Sequence, residues 1–182
     1  MKKLITVLTI IAGILTLTGC GGGGGGANPV AMPLADTTDT NLATAYPQLF
    51  NSYTLMQTSL QDNSKSADDR IALFSPNIAD DFVDTTDGAN KKQELIDSTK
   101  SRLERYIVNS YKFTPKSHKV IDATTVEVIT DMLIDVTRKP DQPGAVSAAS
   151  VPLPDQKVIW KKYGSEWKIY KGIPYKSSEI GI

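Results

Sequence analysis

The sequence is poor in the residues that cross-link folds or bind zinc: its 182 residues include one cysteine, Cys20, and one histidine, His118. A single cysteine cannot form an intrachain disulfide, so the fold must be stabilised by its core. The scarcity of both residues excludes a zinc site of the usual cysteine–histidine kind. The 20 basic and 20 acidic residues give no net charge, whereas general nucleic-acid binders carry a basic surface. We therefore expect no nucleic-acid partner.

Motifs for other cofactors are also missing. Acidic residues cluster at positions 36–41 and 80–87, but neither cluster has the spacing of a calcium-binding loop. The glycine run at positions 21–26 lacks the flanking strand and helix of a dinucleotide-binding fingerprint. The sequence contains no serine-nucleophile elbow. It therefore predicts no bound metal and no cofactor.

The N-terminus has the layout of an export signal. A short basic start at positions 1–3 is followed by an apolar stretch at positions 4–17, which is too short for a comfortable membrane span. The stretch runs into Leu-Thr-Gly-Cys at positions 17–20, which resembles the lipobox of bacterial lipoproteins. The alternative is an ordinary secretory leader followed by an incidental cysteine.

The lipobox resemblance implies that residues 1–19 are removed as a signal peptide. Cys20 would then receive a diacylglycerol on its thiol and usually an acyl group on its new amine. Two or three acyl chains anchor a protein firmly, where one would be marginal. Gly21 rather than Asp follows the cysteine, which by the bacterial sorting pattern implies the outer membrane, facing the periplasm, in a Gram-negative cell.

Residues 20–45 have the composition of a flexible tether. The glycine run is followed by Asn, Pro, Thr and Asp without a hydrophobic period. About 25 such residues have a root-mean-square reach of roughly 25–30 Å. Residues 46–175 then make one domain of ordinary size, and residues 176–182 are a C-terminal tail.

The stretch at positions 125–137 predicts the central strand of the domain, because apolar and polar residues alternate with a period of two. The face expected to be buried carries Val126, Val128, Thr130, Met132, Ile134 and Val136. The opposite face carries Glu127, Ile129, Asp131, Leu133 and Asp135.

The chain before this strand is mainly helical. Apolar residues recur at helical spacing from Tyr46 to Leu60, and Ser66 has the position of a helix N-cap. A long helix is predicted over residues 90–109, with Arg102 facing water. Pro115 predicts an edge or a bulge in the next strand. Four prolines predict a loop over residues 139–156.

Three segments resemble the NTF2-like superfamily in its SnoaL-type cone form. They are A-D-D-R-I-A-L-F-S-P at positions 67–76, K-V-I-D-A-T-T-V-E-V at positions 119–128 and Y-G-S-E-W-K-I at positions 163–169. The resemblance as a whole extends over residues 46–175. The resemblance implies an α+β fold in which N-terminal helices pack on a curved, mainly antiparallel sheet. A simple β-barrel or sandwich is the less favoured alternative, because the first hundred-odd residues are mainly helical.

Enzymes of this superfamily usually place an Asp with a His or a Tyr inside the cone. Here nothing in the sequence positions a partner for His118, and Asp131 and Asp135 lie on the mixed face of the strand. Thr130 is the only polar residue on the buried face, and a hydroxyl is a poor base. We therefore predict no catalytic residues. An isomerase, dehydratase or hydrolase of this fold is the alternative.

Two surfaces are candidates for binding. Six residues could line the mouth of the cone and hold a small apolar ligand, with ordinary core packing as the alternative: Tyr53, Phe74, Tyr106, Met132, Trp160 and Trp167. Ile129 and Leu133 lie between acids on the other face and could form a homodimer interface between sheets. The sequence thus predicts a membrane-anchored, non-enzymatic module that binds a ligand or an envelope protein, with a structural dimerisation module as a further alternative.

Overall fold

The computed structural model describes residues 40–142 and 146–182. The predicted leader, Cys20 and the tether up to residue 39 lie outside the described residues. Within the described ranges, no helix is long and apolar enough to span a membrane. The elements are α1 (Thr40–Ala45), α2 (Pro47–Gln61), α3 (Ala67–Phe74), β1 (Ile78–Val83), α4 (Lys92–Arg105), β2 (Tyr106–Asp122), β3 (Thr125–Arg138), β4 (Ala148–Tyr163), β5 (Glu166–Lys171) and α5 (Ser177–Ile180).

The strands form one sheet in the order β1-β5-β4-β3-β2. All neighbours are antiparallel except β1 and β5, which are parallel. The predicted α+β class with a mainly antiparallel sheet is therefore confirmed. The predicted central position of β3 is wrong, because β4 occupies the middle of the sheet and β3 lies between β4 and the edge strand β2.

The predicted alternation of β3 is confirmed residue by residue. All six residues of its predicted inner face are at most 2 % exposed, and Glu127, Ile129, Asp131, Leu133 and Asp135 are only half-buried. The inner face packs against Leu49, Tyr53, Met56 and Leu60 of α2 in a single hydrophobic core. The apolar face of β3 and the apolar stripe of α2 therefore pack in the same core, as an α+β fold requires.

Polar side chains around the end of α2 protect the free edge of β2. The side-chain amide of Gln61 donates to Tyr111 O at 2.9 Å, and that of Asn63 donates to Val108 O at 2.8 Å. Asn63 Oδ1 also accepts from Val108 N at 3.1 Å. These bonds satisfy strand groups that would otherwise be open to pairing with another chain.

The ends of the domain extend beyond the predicted boundaries. Residues 40–45, predicted as part of the tether, form α1, and Leu42 is fully buried. Residues 176–182, predicted as a tail, contain α5 and bury Ile180 and Ile182. One or two apolar residues in a short polar segment carry no period, so the sequence pattern misses both.

The loop predicted over residues 139–156 is wrong from residue 148 onward, because β4 begins there. Pro152 and Pro154 are tolerated because β5 pairs with residues 159–163, which leaves the first half of β4 without β5 on that side. The register also shifts opposite Asp131, where Asp155 has a φ of +55°. Prolines are acceptable at such an unpaired edge or bulge, so their presence did not mark a loop.

The long helix is shorter than predicted and buries a charge. It ends at Arg105 rather than at residue 109, because the β-branched pair Ile107 and Val108 continues as β2. Arg102 was predicted to face water, but it is 3 % exposed and its guanidinium donates to Tyr175 O at 2.8 Å. The predicted irregularity at Pro115 is confirmed by a register shift between Pro115 and Ser117.

Gly172 is required where the chain leaves β5. Its φ is +97°, and a Cβ at this position would lie 1.9 Å from the carbonyl oxygen of Lys157. Only glycine combines this backbone conformation with such a close approach to the neighbouring strand. The constraint directs the C-terminal segment back over the core.

Candidate functional site: a closed interior and an external cleft

The polar centre of the domain is a hydrogen-bonded set of three buried side chains. Tyr53 of α2 shares a 2.9 Å hydrogen bond with Thr130 of β3, and the indole N–H of Trp160 in β4 donates to the Tyr53 oxygen at 3.0 Å. Tyr53, Thr130 and Trp160 are each 0 % exposed. The three groups therefore satisfy one another without solvent, as buried polar groups must.

This arrangement does not favour proton transfer. Burial raises the pKa of Tyr53 well above its ordinary value, because the phenolate would lose its hydration. The phenol therefore stays protonated at neutral pH and cannot act as a base. Its neighbours Thr130 and Trp160 do not titrate in this range. The set ties α2 to the sheet.

The six residues predicted to line the mouth of the cone do not stay together. Five of them, Tyr53, Phe74, Tyr106, Met132 and Trp160, are at most 2 % exposed and belong to the core. Trp167 is half-buried and lines a surface cleft instead. The helical and strand periods of the sequence predict that all of these side chains face inward, but they do not distinguish a closed core from an open ligand pocket.

Asp84 is the one buried carboxylate in the described part of the chain, at 1 % exposed. Its Oδ2 accepts from the Lys176 ammonium at 2.7 Å, and its Oδ1 accepts from the backbone N–H groups of Gly88 and Thr86 at 2.7 and 2.9 Å. The lysine first, and then these N–H groups, hold the pKa of Asp84 well below its usual range. Asp84 is therefore a charged anchor that links the loop after β1 to the C-terminal segment.

The other candidate titratable groups lie outside the core. The His118 ring packs edge-on against Tyr46 with centroids 5.7 Å apart. Asp131 accepts from Asp155 N at 2.8 Å, and Asp135 accepts from the Asn109 amide at 3.0 Å. Within the described ranges, no three acids, histidines or cysteines come together as a metal site.

Trp167 lines a cleft of about 250 Å³ between the start of α2, the turn after α3 and the β4–β5 hairpin. The indole packs edge-on against Tyr46, with ring centroids 5.5 Å apart, which fixes its orientation. The remaining lining residues are mostly polar: Gln48, Ser52, Pro76, Asn77, Ser165, Glu166 and Lys168. We call this the Trp167 cleft.

Several polar groups of the Trp167 cleft are available to a ligand. The side chains of Gln48, Ser52 and Ser165 make no hydrogen bond to any described residue. Asn77 uses its amide N–H to cap the end of α3, donating to Phe74 O at 3.2 Å, so its side-chain oxygen is left to accept. Glu166 and Lys168 pair at 3.1 Å on the rim. The cleft therefore combines one aromatic surface with hydrogen-bond donors and acceptors and with one positive and one negative side chain.

A second depression lies on the outer face of the sheet. It has a volume of about 270 Å³ and an apolar floor of Leu133, Pro152 and Pro154, with Lys112 and Asp131 at its edge. Leu133, predicted as an interface residue, is therefore part of this outer-face groove. Ile129, its predicted partner, is half-buried on the same face but does not line the groove.

Comparison with known proteins gives structural likeness but no sequence match. No protein-family model matches the chain, and no curated protein matches it. A conserved protein from Planctomyces limnophilus is similar over 70 % of this chain and 92 % of its own, with 16 % identity and a TM-score of 0.53. A candidate scytalone dehydratase from Novosphingobium aromaticivorans is similar over 74 % of this chain and 84 % of its own, with 13 % identity and a TM-score of 0.51.

An NTF-2 like protein of unknown function from Shewanella oneidensis is also similar, over 70 % of this chain and 95 % of its own, with 12 % identity and a TM-score of 0.48. At these identities the likeness concerns the fold. This chain shares the fold of the proteins from Planctomyces limnophilus and Novosphingobium aromaticivorans, and in it helices lie on a mainly antiparallel five-stranded sheet.

Most residues of the Trp167 cleft were missed by the sequence analysis. Gln48 and Ser52 lie one turn apart on the polar side of α2, so their pattern in the sequence predicts only a solvent-exposed helix face. Ser165 and Glu166 belong to the segment interpreted as the closing hairpin. The only usable signal was Trp167 itself, a large aromatic next to a tight turn.

The Tyr53→Phe variant tests whether the interior set is structural. It keeps the ring but leaves Thr130 and the Trp160 N–H without their shared partner, so we expect a loss of about 1–3 kcal/mol in the free energy of unfolding. Urea unfolding of the mature chain measures the loss. Tyr46→Phe is the matched control and should change the stability little, whereas equal stability of both variants would contradict a structural role for Tyr53.

Proposed function

We propose that this protein is a membrane-anchored envelope lipoprotein whose NTF2-like domain works as a non-enzymatic binding module. The observation that carries the proposal is the contrast between two regions. The interior is a filled core whose polar centre of Tyr53, Thr130 and Trp160 is satisfied internally. In the external Trp167 cleft, by contrast, the side chains of Gln48, Ser52 and Ser165 make no hydrogen bond to any described residue. Binding at the cleft needs no acid or base, and the surroundings of Tyr53 favour none.

The anchor in this proposal is lipid on Cys20, placed in the outer membrane and facing the periplasm in a Gram-negative cell. Its support is the order of basic start, apolar stretch and lipobox in the first 20 residues. Such an anchor would keep the domain at the surface of the envelope membrane.

The chemistry of the Trp167 cleft fits a sugar ring better than a wholly apolar ligand. A sugar ring has one face of C–H groups, which an indole covers well, and a rim of hydroxyls that both donate and accept. Gln48, Asn77, Ser52 and the Glu166–Lys168 pair supply the matching donors and acceptors. Pockets of this kind usually combine an apolar surface with a few placed polar groups. We therefore propose an envelope saccharide as the ligand class.

The anchoring part is tested by the Cys20→Ser substitution in a bacterial host. The unchanged protein should carry lipid at Cys20 and fractionate with membranes, because two or three acyl chains bind firmly. The Cys20→Ser variant should lose both the lipid mass and the membrane association. Unmodified Cys20 in the unchanged protein, shown by mass spectrometry, would contradict the proposal.

The binding part is tested by titrating the mature Cys20→Ser chain with oligosaccharides of bacterial envelope glycans, followed by NMR shifts of the Trp167 indole N–H. Trp167→Ala should weaken the binding by about tenfold or more, because it removes the stacking surface. Trp167→Phe should retain part of the affinity.

Leu73→Ala, a change at a half-exposed residue outside the cleft, serves as the matched control and should bind normally. Absence of any saccharide-dependent shift at Trp167, or undiminished binding by Trp167→Ala, would contradict the proposed ligand class.

The outer-face groove favours a homodimer as a second candidate function. Leu133 and the prolines opposite it form an apolar floor on an otherwise charged sheet face, and such patches often mark protein contacts. If two sheets pack there, Leu133→Lys should convert a dimer into a monomer in sedimentation analysis, whereas Ile121→Lys should not. A monomer before any substitution would contradict this candidate.

A further inference from the structure

The end of β2, next to its turn into β3, exposes two consecutive aliphatic residues. Val120 is 52 % exposed and Ile121 is 50 % exposed. We call residues 119–124 the hairpin tip. Large aliphatic side chains that are half exposed leave apolar area in water, which is unfavourable unless another surface covers it.

Unpaired lysines flank these aliphatic residues. Lys119 belongs to the hairpin tip, and Lys162 is placed beside it because its backbone N–H donates to Thr124 O at 2.8 Å. Both are exposed, and neither forms an ion pair with a described residue. A third lysine, Lys161, lies in β4 directly opposite Thr125 and holds its ammonium 3.2 Å from the centre of the Tyr170 ring.

Two acids are also close to the hairpin tip, and they leave its charge positive. Asp122 shapes the turn by accepting from Thr124 N at 2.7 Å and from its hydroxyl at 2.8 Å. Glu127 lies opposite Lys119 in the strand register. The three nearby lysines, Lys119, Lys161 and Lys162, outnumber these two acids, so the net charge around the hairpin tip is positive. The combination of exposed aliphatic residues with excess lysine matches surfaces that bind anionic lipid interfaces.

The N-terminal end of the described domain is near the hairpin tip. Tyr46, which directly follows α1, packs against His118 one residue before the tip. A helix as short as α1 is only about 9 Å long, so Thr40 lies within roughly 20 Å of the tip. The sequence predicts a reach of roughly 25 Å for residues 20–39. A lipid on Cys20 would thus bring the membrane to the end of the domain that carries the tip.

We propose that the hairpin tip docks the domain onto the anionic membrane surface to which Cys20 is proposed to be attached. Val120 and Ile121 enter the headgroup region, and the lysines bind lipid phosphates. The inference rests on the proposed lipid anchoring. Each lysine near an anionic surface strengthens binding about fivefold, which is weak alone but sufficient to orient a domain that is already tethered.

The test uses the mature chain from residue 20, whose only cysteine is coupled to a maleimide lipid in vesicles of phosphatidylethanolamine and phosphatidylglycerol. A photo-crosslinking amino acid replaces Ile121 in one variant and Leu73 in another. Leu73 is a matched control because it is 51 % exposed and lines a cleft with Asp62 and Lys65 along the C-terminal half of α2. Because the anchor is supplied chemically, the outcome does not depend on whether cells acylate Cys20.

We expect at least about fivefold more crosslinking to lipid from position 121 than from position 73. The double substitution Lys119→Glu and Lys162→Glu should reduce the yield at position 121 about tenfold or more. The control is the double substitution Lys65→Glu and Lys100→Glu, which makes the same change in charge. Lys100 lies in α4 and pairs with Asp68 of α3 at 2.6 Å, and this control should not reduce the yield. High salt should also reduce the yield at position 121, because it screens exposed charges.

Equal crosslinking from the two positions would overturn the proposal, since it would mean that the tethered domain has no preferred face. A yield at position 121 that is insensitive to the Lys119 and Lys162 substitutions would overturn it as well. Loss of Cys20 acylation in cells, with preferential crosslinking still present here, would contradict the proposed anchor alone.

Discussion

The hydrogen bonds among Tyr53, Thr130 and Trp160 are the interaction on which the other parts of the structure depend. They join α2, β3 and β4 at the centre of the core, without solvent. Each buried polar group would be costly alone, so the three must be placed together. This fixes α2 across the sheet, brings Asn63 to the edge of β2, and places the start of α2 beside Trp167. With the interior filled, the surfaces offered to other molecules are external.

The parts of the fold that follow from local periodicity were predictable from the sequence. The alternation in β3, the apolar stripe of α2 and the cap at Ser66, which accepts from Asp69 N at 3.1 Å, are all confirmed. The same holds for the irregularity at Pro115. In each case a single segment carries both the pattern and the physical reason for it, so no knowledge of distant partners is needed.

The parts that depend on distant partners were not predictable. Arg102 is buried because the carbonyl of Tyr175, more than 70 residues away, accepts from it. Pro152 and Pro154 fit a strand because the pairing of β5 leaves that half of β4 free. The residues of the candidate site could not be predicted for the same reason. The sequence pattern marks Tyr53, Trp160 and Trp167 alike as inward-facing aromatic residues. Only the packing of α2 buries the first two in the core and leaves the third lining a cleft.

Whether the interior is closed can be measured by hydrogen exchange at the two indole N–H groups, followed by NMR on the mature Cys20→Ser chain. We expect the Trp160 N–H to exchange only through global unfolding, and therefore at the slowest rate in the protein, while the half-buried Trp167 N–H exchanges far faster. Comparable exchange of the two groups under native conditions would show that the interior around Tyr53 opens to solvent and is available to a ligand or a substrate, contrary to a closed core.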